Sequence, residues 1–180
     1  MDAFAVFSLP PRAVLAEDDL KQRYLELTAA GVGDAGALNE AYRILSSDRL
    51  RLGHLLQLGG VTDLNRAGVF PAEYGELLSV GATVLKQSQS LLQKLDRAEH
   101  ALARAELAVE RVELIGRMQQ INGWIAGWLV DLRQRLAATG PQGKAPEPAV
   151  LADFYARFSF LERWEQQVSE HLFRLAEWHA

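Results

Sequence analysis

Residues 151–175 read LADFYARFSFLERWEQQVSEHLFRL, with apolar side chains at Leu151, Phe154, Phe158, Leu161, Val168, Leu172 and Leu175. Steps of three, four and seven return a side chain to one face of a helix, so the segment predicts a long amphipathic helix. Upstream, Ile121, Ile125, Trp128, Leu132 and Leu136 predict a helix over about 117–138. Before that, a heptad-like seam runs from Leu91 through Leu95, Ala98, Leu102, Ala105, Val109 and Val112 to Gly116. It reads as packing within the chain or as a coiled coil between two copies. Its other faces mix Lys94, Arg97, Arg104 and Arg111 with Asp96, Glu99, Glu106, Glu110 and Glu113, the pattern of a solvated helix surface. The Gly- and Pro-containing stretch 139–146 is the connection to the last helix. Long helices joined by short connections predict an antiparallel three- or four-helix bundle at 72–180.

The first third is also helical but in shorter pieces. A short segment at 2–8 ends before Pro10-Pro11. Glu17-Asp18-Asp19 then oppose the positive dipole end of a helix near 17–30, which carries Leu20, Tyr24 and Leu27. Glycines stop it at Gly31, Gly33 and Gly36. Leu38, Ala41, Tyr42 and Leu45 mark the next helix, and Ser46-Ser47-Asp48 a bend. A further apolar piece runs through Leu55, Leu56 and Leu58 to Gly59-Gly60. The reading is all-α throughout: a small helical domain at 1–60, a linker at 61–71 and the bundle at 72–180.

Composition narrows the function. The chain has 180 residues, 49% hydrophobic and 23% charged, with net charge −4 and no Cys. A chain of this size buries roughly 70% of its unfolded surface, so no staple is required. Without Cys there is no disulfide, thiolate metal site or cysteine nucleophile. A pI near 5.6 and the lack of a long basic cluster argue against a nucleic-acid or anionic-membrane surface. No signal-peptide pattern and no uninterrupted apolar span appear, so a cytoplasmic protein is expected.

Motifs for chemistry are sparse. Gly31–Gly36 matches G-x-G-x-x-G, but helices flank it where a dinucleotide site needs a preceding strand. His54, His100, His171 and His179 share no metal-ligand spacing. No cofactor, metal or catalytic residue is expected, and the chain reads as non-enzymatic. Phe160, Trp164 and Tyr155 stand off the Leu151–Leu175 stripe. They mark either a broad buried face or an exposed patch for a partner.

Leu38-Asn39-x-Ala41-Tyr42-x-x-Leu45, then Arg51 and His54-Leu55-Leu56-x-Leu58-x-Gly60, resembles the J-domain of the iron–sulfur co-chaperone HscB family. Phe4-x-x-Phe7-x-Leu9-Pro10 is similar to that family's opening segment, and Leu20-Lys21-x-x-Tyr24-x-x-Leu27 to its second helix. Phe158-Ser159-Phe160-Leu161-Glu162-Arg163-Trp164 resembles a stretch of its C-terminal domain. The resemblance implies a heat-shock ATPase chaperone as one partner and an iron–sulfur scaffold as the other, with Phe160, Leu161 and Trp164 in scaffold binding.

The departures are as informative. The family's His-Pro-Asp loop falls on Val32, Gly33 and Asp34, of which only the Asp is kept. The family's second helix is basic; here Lys21 and Arg23 stand against Glu17, Asp18, Asp19 and Glu26, or 2 − 4 = −2. Residues 77–95 hold no carboxylate, where the family has acidic residues. The expectation is an HscB-like adapter with a degenerate J-domain, its ATPase stimulation lost, that binds a protein partner through its bundle. The alternative is a structural or oligomerising helical module, the seam then lying between chains.

Overall fold

A computed structural model describes residues 1–31, 33–64, 72–139 and 146–178, without the side chains of Ala72 and Ala101. The described chain is all-helical. Its helices are α1 (Ala3–Val6), α2 (Glu17–Ala29), α3 (Ala35–Ser46), α4 (Asp48–Leu58), α5 (Ala82–Arg97), α6 (Ala101–Ala138) and α7 (Pro148–Glu177). A 3-10 turn at Ala72–Tyr74 and a π turn at Leu77–Gly81 precede α5. No described helix is long and apolar enough to cross a membrane. The linker expected at 61–71 and the connection at 139–146 fall largely outside the described residues.

The chain forms two compact units, Met1–Phe70 with Asp131–Ser159, and Pro71–Val130 with Phe160–Ala180. The stretch 131–159, expected in the C-terminal bundle, therefore packs with the N-terminal helices.

In the first unit, short polar side chains set the helix starts. Asp2 accepts from the Phe4 amide at 2.9 Å, Asp34 from Gly36 at 3.0 Å, and Ser47 from Leu50 at 3.3 Å. Leu38, Ala41 and Leu45 are buried as expected, whereas Tyr24, Leu27 and Tyr42 are half-buried. The core also takes Phe4, Phe7, Leu20, Leu52 and Leu56. Tyr24 packs tilted against Tyr42, centroids 4.5 Å apart, and donates its hydroxyl to Asn39 Oδ1 at 2.7 Å. This joins α2 to the L-N-x-A-Y segment of α3. Buried His54 accepts the Ala3 amide on Nε2 at 3.0 Å and stacks on Phe4, tying α4 to α1.

Arg51 is the polar centre of this unit. It is 4% exposed, and its Nε donates to the Ala13 carbonyl at 2.8 Å. Its two terminal nitrogens reach the Leu45 carbonyl at 2.6 Å and Asp48 at 2.5 Å. Burial lowers the guanidinium below its ordinary value, and the adjacent Asp48 opposes that shift. Asp48 also receives Arg133 Nε at 2.6 Å, which fastens the end of α6 to α4. Gly53 lets the Tyr155 ring approach α4; a Cβ there would lie 3.0 Å from it.

In the second unit, α5, most of α6 and the end of α7 bury Leu91, Leu95, Met118, Ile121, Ile125 and Val168. The expected heptad seam is interrupted. The chain leaves the helix between Arg97 and Ala101, and α6 then runs through Gly116 without a stop. Leu91 and Leu95 are core, but Leu102, Val109 and Val112 are 73%, 64% and 65% exposed. The buried stripe of α6 starts instead at Leu114 and continues through Met118 to Leu136.

Ser88, fully buried, is 2.8 Å from His171 Nδ1. Burial first, then the nearby Arg174, lowers the His171 pKa from 6.5, with Glu170 opposing. The neutral ring and the Ser88 hydroxyl share this hydrogen bond, its donor set by the ring's tautomer. As pH falls, the unfolded chain protonates at this site before the folded one. Its contribution to stability is complete above about pH 6.5 and declines as pH drops through the lower folded value. Denaturant titrations at acidic and neutral pH should show this decline, and His171→Gln should flatten it. An equal slope in that variant would remove His171 as the cause.

Candidate functional site

Residues 32–34, where the resemblance puts the His-Pro-Asp motif, lie between α2 and α3. Val32 lies outside the described residues. Gly33 is exposed with φ +84°, a left-handed conformation that proline, fixed near −65°, cannot adopt. Asp34, also exposed, is the N-cap of α3, where its carboxylate accepts from Gly36. Asp34 therefore serves the helix start. On α2, Glu26 receives Arg23 at 3.3 Å and Gln22 at 3.1 Å, so one of the two cations of that helix is engaged.

The C-terminal aromatic group sits inside its unit. Leu161 is fully buried and Trp164 is 8% exposed. Phe160 is half-buried, stacked on Tyr74 at 5.5 Å and tilted to Trp164 at 6.3 Å. The Trp164 ring presses on Gly81 in the π turn, where a Cβ would meet it at 2.7 Å. The wider helical turn and the missing side chain together make room for the indole. Of the two sequence readings, the broad buried face matches this placement. The three residues are brought together as packing, and they leave little apolar surface for a partner.

A longer run of exposed apolar and small residues lies on α6. Leu102, Ala105, Val109 and Val112 face solvent, followed on the same face by Gly116, Gly123, Gly127 and Val130. At 3.6 residues per turn these eight positions fall within about 80° of the helix circumference, and exposed Gln120 shares that arc. A Cβ at any of the three glycines would meet nothing within 4 Å. Each glycine costs an exposed helix interior about 1 kcal/mol relative to alanine, and nothing in the unit requires it. One margin of the stripe is charged, carrying Glu106, Glu110, Glu113 and Arg117. Glu110 pairs with Lys94 at 3.2 Å, and Arg117 donates to Gln87 at 2.8 Å. Sequence reasoning found the Leu102–Val112 half of this face but placed it in a continuous seam with Leu91 and Leu95.

Among the described residues no three His, Asp or Glu side chains gather as a metal-holding group. No protein-family model matches the chain, and neither does the sequence of a curated protein.

Proposed function

We propose that the protein is a cytoplasmic, non-enzymatic, HscB-like adapter. Its J-like hairpin no longer stimulates a heat-shock ATPase, and its C-terminal bundle binds a protein partner, with an iron–sulfur scaffold as the leading candidate. The observation that carries this reading is Gly33 at φ +84° beside an Asp34 committed to capping α3. A loop of this geometry holds neither the ring nitrogen nor the rigid backbone of His-Pro-Asp. The net −2 of α2 adds a repulsive term toward an acidic chaperone groove.

Single-turnover ATP hydrolysis by the chaperone should proceed at its basal rate with this protein present. Val32→His/Gly33→Pro should not rescue it, because proline demands a backbone angle of opposite sign. Clear acceleration by the unmodified chain would end the claim of lost stimulation. A titration against the iron–sulfur scaffold tests the other half; absence of saturable binding there would favour the helical-module alternative.

A further inference from the structure

We infer that the cavity beside α4 in the first unit binds a small organic acid, a carboxylate on a short apolar or aromatic body. The cavity measures about 180 Å³, and all of its lining belongs to that unit. Close-packed interiors leave few voids larger than a water, and sites for drug-sized molecules start near about 300 Å³. The space therefore suits a compact ligand. Buried Gly53 and His54 form its floor, and the Tyr155 ring and Leu64 are apolar walls. A Cβ on residue 53 would lie 3.0 Å from the Tyr155 ring and 3.5 Å from Leu64, so the glycine keeps this floor clear.

The charged groups and the imidazole around the space are donors. His54 accepts the Ala3 amide on Nε2 at 3.0 Å, so the neutral ring carries its proton on Nδ1. The longer contact from Nε2 to Asp2, 3.5 Å, does not compete, since that carboxylate caps α1. The Nδ1–H has no acceptor among the described residues, although His54 is only 8% exposed. Arg43 and Arg49 also line the space. Arg43 gives Nε and Nη2 to Glu40 at 2.8 and 2.6 Å, which orients the guanidinium and leaves Nη1 outside the pair. Neither guanidinium nor an imidazole N–H accepts a hydrogen bond, and no described carboxylate lines the space. The occupant must bring the acceptors, and an arginine fork matches a carboxylate in shape. Glu40 offsets one guanidinium charge, which favours a single negative charge over a phosphate dianion. The inference is independent of the adapter reading, because neither residues 32–34 nor Phe160 and Trp164 enter it.

Benzoate is the probe, and benzamide is its neutral counterpart of similar shape. Benzoate titrated into the full chain and followed by heteronuclear NMR should saturate with a Kd of about 1 mM or tighter. The shifts should centre on the amides of 43–57 and Tyr155, and the His54 Nδ1–H signal should sharpen as its exchange with water slows. Arg43→Gln changes an exposed side chain, so it should keep full helicity yet weaken benzoate about tenfold or more. Arg49→Gln should weaken it comparably. Benzamide and phenyl phosphate should each bind about tenfold more weakly than benzoate, or less well still. Absence of saturation, or shifts centred outside the cavity, would overturn the inference. Equal affinity for benzamide or phenyl phosphate, or an undiminished affinity in Arg43→Gln, would overturn it equally.

Discussion

Arg51→Ala should cost about 3–5 kcal/mol, the range for removing one partner from a buried charge pair. For a domain whose total stability is about 5–15 kcal/mol, that is a large share. Three groups lose their donor together: the Ala13 carbonyl, the Leu45 carbonyl and one oxygen of Asp48. Asp48 keeps Arg133, so the larger penalty falls on the two carbonyls. Water has poor access to a site that is 4% exposed. Arg51→Lys should recover only part of the loss, since one ammonium cannot reproduce a planar fork aimed in three directions. Urea unfolding followed by circular dichroism reads the effect as a lower midpoint. A loss below about 1 kcal/mol would mean that these carbonyls find other donors and that Arg51 is not the polar centre.

Trp164→Ala should destabilise by about 3–5 kcal/mol, the range for truncating a large buried aromatic side chain. The indole fills the space over Gly81 and the π turn. Gly81→Ala attacks the same contact from the other side, driving a Cβ into the ring at 2.7 Å. The two changes should be strongly non-additive, because once the indole is gone the new methyl has room. A double-mutant cycle in denaturant measures this directly. Additive losses would show that Gly81 and Trp164 do not share one packing site. For the scaffold-binding question, Trp164→Ala is consequently a poor probe, since weakened binding would report lost packing.

Much of the fold was legible because the helices are amphipathic. On α7 the stripe Leu151, Phe154, Phe158, Leu161, Val168 and Leu175 is buried as read, and only Leu172 is half-exposed. Trp164 could have been placed from the sequence: it lies three residues after Leu161 and four before Val168, on the same face. The break at 98–100 left no comparable signal. Ala98-Glu99-His100 contains neither Gly nor Pro, and the ending is stabilised by a tertiary choice, Arg104 donating to the Ala98 carbonyl at 3.0 Å. Gly116 misled in the opposite sense, because one exposed glycine costs a long helix too little to end it. In the hairpin, the spacing located Asp34 but not its use as a cap. Nor did it give the sign of φ at Gly33, which depends on how the loop between α2 and α3 closes.

The first unit has a consequence for its synthesis. Residues 71–130 intervene between its two stretches of chain, and its last contributor is Ser159. When Phe70 leaves the ribosome, about 90 further residues must be made before the unit has all its parts, or about 4–18 s at 5–20 residues per second. For most of that interval α4 lacks the cover of Tyr155, and Asp48 gains Arg133 only in its last third. The nascent hairpin is exposed to premature association for seconds before its own chain can shield it.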